Sequence, residues 1–126
     1  MNGPVTAMDD VRRLYLQAEC LGQALVARAL CFPDGIHVSL YGGHLPHIGA
    51  VTIARAADDV QTTLFPGHRD DVVSRRWARR LIEAGCLPAV VEVGIHYDDL
   101  NREGIETVVR AADRLLERLI SEIDKR

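Results

Sequence analysis

The sequence predicts a two-layer α+β fold: a mixed or mainly antiparallel sheet of four to six strands, covered on one face by two helices. Three observations carry this expectation. Residues 36–41 alternate Ile36, Val38 and Leu40 with His37, Ser39 and Tyr41, between Pro33-Asp34-Gly35 and Gly42-Gly43, which is the pattern of a half-buried strand. From Asn101 onward, Ile105, Val108, Val109, Ala112, Leu115, Leu116, Leu119, Ile120 and Ile123 trace the apolar stripe of a long helix whose other face is charged. The intervening segments run in the order strand, helix, strand, so that strands come first and helices cover them.

Taken along the chain, residues 1–9 have no hydrophobic period and are expected to form a flexible N-terminus, with one domain over residues 10–126. Residues 11–31 fit two patterns. Val11, Leu14, Ala18 and Leu21 make a helical stripe, whereas Leu14, Leu16 and Ala18 alternate as in a strand; Gly22-Gln23 interrupts the run and favours two antiparallel strands near 12–20 and 24–31. A further strand is expected at Ala50–Ala54, with a short one at 60–64. Asp70 or Asp71 is positioned to cap a helix in which Val73, Trp77 and Leu81 line up, stopped by Gly85. Ala89–Ile95, with Val90, Val91 and Val93, reads as an apolar strand before the final helix.

Composition narrows the function. The chain has 126 residues, enough for one core, with 48% hydrophobic but only 5% aromatic residues, so Val, Leu, Ile and Ala must fill that core. A net charge of −3 gives no general attraction for nucleic acid. The one dense basic run, Arg75, Arg76, Arg79 and Arg80, has helical spacing and reads as a solvated helix face or a subunit rim. No apolar stretch is long enough to span a membrane, and the N-terminus lacks a secretory pattern. Cys20, Cys31 and Cys86 are odd in number and scattered, which fits a reducing cytoplasm and buried small hydrophobes better than a disulfide framework.

Candidate chemistry concentrates in three glycine-containing passages: Gly42-Gly43-His44-Leu45-Pro46-His47-Ile48-Gly49, Pro66-Gly67-His68-Arg69-Asp70-Asp71, and Gly94-Ile95-His96-Tyr97-Asp98. They hold four of the five histidines, and each falls at a strand end or a helix start, where a rigid sheet presents binding groups. The backbone of the first passage can approach or cradle an anion, although it is neither a phosphate-loop nor a dinucleotide fingerprint. Arg69 and His68 sit where a helix N-terminus favours anions. Asp98 can orient His96, and Glu92 shares its strand face with His96. Zinc ligation by His44 and His47 with His68, His96 or Asp98 can be composed on paper, but no paired-cysteine or His-Glu-x-x-His signature supports it, so no metal site is expected.

The blocks Tyr41-Gly42-Gly43, Pro46-His47-Ile48-Gly49-Ala50-Val51, Gly67-His68-Arg69-Asp70-Asp71 and Gly94-Ile95-His96-Tyr97-Asp98, in this order, resemble the small D-subunit family of hydroxyaryl-acid decarboxylases, the LpdD-like accessory subunits. The resemblance spans roughly residues 36–120 and leaves the segment before Asp34 unassigned. It implies a non-catalytic accessory protein that binds, protects or delivers prenylated FMN to the large subunit of a prenylated-FMN-dependent decarboxylase. It also implies cofactor-binding roles for Gly42, Gly43, His47, Gly49, His68, Arg69, His96 and Asp98. The phosphate would then meet Arg69, His47 and the Gly42-Gly43 amides, and Tyr41, Phe65, Trp77 and Tyr97 are the aromatic residues available to the ring.

Two other functions compete: a small hydrolase or isomerase using His47, His68 or His96 with Asp98 as an acid–base pair, and a purely structural subunit. A homo-oligomer is expected as well, because Val38, Val51, Ile53, Val91 and Val93 are many apolar strand residues for one helix-covered face. Its rival is a monomer whose 11–31 segment lies across the second face as a helix.

Overall fold

The computed structural model describes residues 10–65 and 69–125. The elements are β1 (Arg12–Cys20), β2 (Gln23–Phe32), β3 (Gly35–Gly43), β4 (Ala50–Ala56), β5 (Asp59–Leu64), α1 (Asp71–Glu83), β6 (Ala89–His96) and α2 (Arg102–Asp124). Six strands form one sheet in the order β1-β2-β3-β6-β4-β5. Neighbours are antiparallel except β3 and β6, which run parallel, so the sheet is mixed.

Residues 11–31 are strands and not a helix. Leu21 and Gly22 at the turn have φ of 52° and 80°, both left-handed, the backbone that lets a two-residue hairpin follow the natural strand twist. The turn fixes the register, with Tyr15 opposite Arg28 and Arg13 opposite Leu30. The rival monomer with a helix over the second face is therefore excluded.

Both helices pack on the same side of the sheet, α1 over β4, β5 and β6 and α2 over β1 and β2. The core lies between these layers: Leu25, Leu40, Leu81, Leu115, Leu119, Val38, Val91, Val93 and Trp77 are all less than 2% exposed. Each such large side chain contributes roughly 1.5–3 kcal/mol relative to exposure. Ile105 departs from the expected stripe, being 52% exposed in the first turn of α2, where the helix has not yet reached the sheet's core. The basic run on α1 is more than a solvated face. Arg76 holds Asp113 through two 2.8 Å bonds, and Arg80 holds Glu117 at 2.8 and 2.9 Å, fork to fork, so the arginines tie α1 to α2. The Glu117 hydrogen bond also raises the Arg80 pKa above its ordinary value.

Strand alternation divides the apolar residues expected to overload one face. Val38, Val91 and Val93 point to the helices and are fully buried, while Val51 is half-buried and Ile53 is 46% exposed on the opposite face. No described element covers that second face.

Candidate functional site

The uncovered face is concave. Its register places Tyr15, Arg28, Ser39 and Glu92 side by side across β1, β2, β3 and β6, with Arg13, Leu30 and His37 in the adjoining row and Tyr41 and Gly94 on the other side. These residues, with Pro46, His47 and Ile48 from the loop after β3, line a depression of about 710 Å³. On its β6 side, Glu92 accepts a 2.7 Å hydrogen bond from the Ser39 hydroxyl, and His37 Nε2 lies 3.4 Å from the same Oε1.

The loop at residues 44–49 forms one wall because both of its ends bond to β6: His44 N–H donates to the His96 carbonyl at 2.7 Å and Gly49 N–H to Val93 at 2.9 Å. Glycines make this approach possible. A β-carbon on Gly94 would collide with the His47 carbonyl, and one on Gly49 with the Asp70 carboxylate. Through that gap His47 Nε2 reaches Asp70 Oδ2 at 3.0 Å, their side chains being only 15% and 10% exposed. The other Asp70 oxygen accepts from Ile95 N–H at 3.2 Å, and His47 Nδ1 lies 2.9 Å from the Leu45 carbonyl. A carbonyl only accepts, so Nδ1 is the donor to Leu45. Asp70 is thus not the helix cap expected from its position: it stands at the N-cap of α1, but its side chain makes no capping bond and is turned to His47 and Ile95.

A second cluster occupies the carboxyl ends of the parallel strands β3 and β6, the end of an α/β sheet where ligands commonly bind. His96 Nε2 pairs with Asp98 Oδ1 at 2.9 Å, Asp98 N–H donates to His44 Nδ1 at 3.2 Å, and the His44 ring stands edge-on to Tyr97 at 5.6 Å. His96 and Asp98 side chains are 47% and 64% exposed. The Tyr97 hydroxyl is buried and donates to the Cys20 carbonyl at 2.8 Å; burial pushes its pKa up, with Cys20 adding to the effect.

Of the residues singled out in the sequence, His47 lines the depression, and Gly49 lies behind it against Asp70. Gly42 and Gly43 belong to the end of β3, where the first packs against the Ala24 carbonyl of β2 and the second against the His96 carbonyl. Gly43, His96 and Asp98 form the rim, and Arg69 is exposed before α1; none of these lines the depression. His68, and with it the expected approach of His47 and His68, lies outside the described residues. Of the expected aromatic neighbours, Tyr41 faces the depression, Trp77 is sealed in the core, Tyr97 is buried behind the rim and Phe65 is 40% exposed after β5. Arg13, Tyr15, Arg28, His37 and Ser39 were not singled out. The signal for them is the Leu21-Gly22 hairpin, whose register puts Arg13, Tyr15 and Arg28 on one face.

Among the described residues, no group of three His, Cys, Asp or Glu side chains is placed to hold a metal ion.

The family model described as prenylated flavin chaperone LpdD-like domain matches residues 19–124, which extends the resemblance upstream through β2. Protein LpdD of Lactiplantibacillus plantarum is 31% identical over 85 residues, covering 64% of this chain and 62% of that protein's length. Among solved structures, a chain from the crystal structure of a novel chaperone complex for yeast 20S proteasome assembly superposes with a TM-score of 0.54 at 16% identity, over 90% of this chain and 98% of its own. That likeness concerns the fold alone. The family match covers both helices and the sheet from the end of β1 onward, and on that ground the chain belongs to the prenylated flavin chaperone LpdD-like domain family.

Proposed function

We propose that this protein is a non-catalytic accessory protein that binds prenylated FMN on the open sheet face and delivers it to a partner aromatic-acid decarboxylase. The observation that carries the reading is the depression itself, whose volume of about 710 Å³ falls in the usual small-molecule range of roughly 300–1,000 Å³. Its donor set fits a phosphorylated aromatic heterocycle. Arg13 and Arg28 offer cations, Tyr15, Tyr41, Leu30 and Ile48 an apolar wall, and Glu92 and Ser39 hydrogen-bonding groups. The prenylated flavin would supply its chemistry to the partner's reaction; the residues of this chain bind, orient and shield it.

Shape supports delivery as well as binding. Drug-sized ligands in dedicated pockets bury roughly 70–90% of their surface, whereas a one-sided sheet covers one side of a flat ring. A second cover completes the site, and we assign it to another copy of this chain in a homo-oligomer, displaced by the decarboxylase when the cofactor is handed over. The competing acid–base reading is weaker, because the exposed His96–Asp98 pair stands on the rim outside the depression.

The test is titration of the ligand-free protein with prenylated FMN and with FMN, followed by flavin absorbance and fluorescence. Binding of the prenylated form, and faster activation of a cofactor-free decarboxylase by the loaded protein, is the expected result; absence of binding by either flavin overturns the reading.

A further inference from the structure

We propose that Arg13 and Arg28 form the phosphate subsite of the open face, so that a phosphorylated ligand lies with its anionic end over β1 and β2 and its opposite polar edge towards Glu92 on β6. The inference rests on the reading of this face as a flavin-nucleotide site and assigns its polarity.

Strand register brings the two arginines together. Arg13 and Tyr15 alternate on β1, and Tyr15 is opposite Arg28, which makes Arg13 and Arg28 diagonal neighbours on one face. Diagonal positions stand about 7–8 Å apart, close enough for two long guanidinium side chains to converge on one phosphate. Both arginines are exposed, and neither meets a carboxylate among the described residues, unlike Arg55, Arg75, Arg76 and Arg80. Two neighbouring cations without a counter-charge repel each other, and an anion between them removes that cost.

Glu92 sets the direction. It lies in the same row as Arg28, two strands away, or about 10 Å at ordinary strand spacing. Ser39 and His37 hold its Oε1, so the carboxylate is fixed at the centre of the sheet. It would repel a phosphate and accept from an N–H donor. The face is therefore cationic over β1–β2 and anionic over β6, with the Tyr15 ring beside Arg28, a polarity suited to a ligand with a phosphate at one end and an N–H edge at the other. Arg13 and Tyr15 precede residue 19, where the family match begins, so half of this grip belongs to the chain's own first strand.

The experiment measures dissociation constants of prenylated FMN and of its phosphatase-treated, dephosphorylated form for the wild-type chain, Arg28→Ala, Arg13→Ala and the control Arg79→Ala on α1. Removing the phosphate is expected to weaken wild-type binding by about 10- to 100-fold, as loss of a charge-assisted hydrogen-bond pair does. Arg28→Ala and Arg13→Ala should each weaken the phosphorylated ligand by about 10-fold and leave the dephosphorylated one nearly unchanged, whereas Arg79→Ala changes neither. A general folding defect would weaken both ligands alike, and thermal unfolding of the same samples identifies it. If wild type binds the flavin but phosphate removal or the two substitutions leave affinity intact, the subsite assignment is wrong while the functional reading stands. If wild type binds neither form, both fall.

Discussion

The two faces of this sheet are built from alternate residues of the same strands, yet they carry different tasks. On β3, Ile36, Val38 and Leu40 are 4%, 0% and 1% exposed beneath the helices, whereas His37, Ser39 and Tyr41 are half-buried and face the depression. Stability is concentrated on the first set, because burial of apolar surface scales with area and needs no particular functional group. The second set makes little of the core and is free to carry charge, hydroxyl and ring. Neighbouring substitutions on one strand should therefore separate folding from binding.

The largest effect expected is on the covered face. Leu40→Ala removes a side chain with no room to collapse around it and should cost about 2–5 kcal/mol in denaturant unfolding, with flavin affinity preserved wherever the protein is folded. Tyr41→Ala, one residue on, reverses the pattern: a stability loss below about 1.5 kcal/mol with a measurable loss of flavin affinity. Equal stability losses at the two positions would break the division between faces.

The two His–Asp pairs sharpen the comparison at smaller magnitude. His47–Asp70 and His96–Asp98 have similar distances, 3.0 and 2.9 Å, but the first is nearly buried and its carboxylate also satisfies the Ile95 amide. Asp70→Ala removes the acceptor of the Ile95 amide and the contact to His47 Nε2 and should cost about 2 kcal/mol, read in the same unfolding experiment. Asp98→Ala breaks a pair that water already solvates and should stay within about 0.5 kcal/mol. A large loss at Asp98 would show that the rim holds more of the fold than its exposure suggests.

These pairs also mark what was legible in the sequence. Strand periodicity on β3, the helical stripe of α2 and the turn at Gly22 were local signals, and all three gave the correct element. The His96–Asp98 pair was legible for the same reason, its members being two residues apart. The His47–Asp70 pair was not: β4 and β5 lie between them, and an aspartate before a helix reads as its cap. Arg13 and Arg28 were hidden differently, since a scattered arginine carries no motif and only strand register brings the two to one face. The histidine- and glycine-rich loops drew attention to the rim and the wall of the depression, while its floor consists of ordinary strand residues.

An equally small effect on stability is expected at Ile53, where the comparison of faces meets the question of assembly. Ile53 is 46% exposed on β4, on the uncovered face and outside the lining of the depression. Val51 shares its strand face, and Val90 is its partner on β6. In an isolated chain, Ile53→Glu replaces an exposed apolar residue and should change unfolding stability by no more than about 0.5 kcal/mol. In an assembly that buries this face, the same change places an unpaired carboxylate inside a contact of roughly 800 Å² per partner and should dissociate it. Light scattering at several micromolar protein is expected to give a multiple of 13.9 kDa for the wild-type chain and a value close to 13.9 kDa for Ile53→Glu. A wild-type chain already at that mass would remove the second copy as the cover of the site and leave that role to the decarboxylase alone. A wild-type oligomer indifferent to Ile53→Glu would move the contact to another surface, and the open face would then be reserved for the ligand.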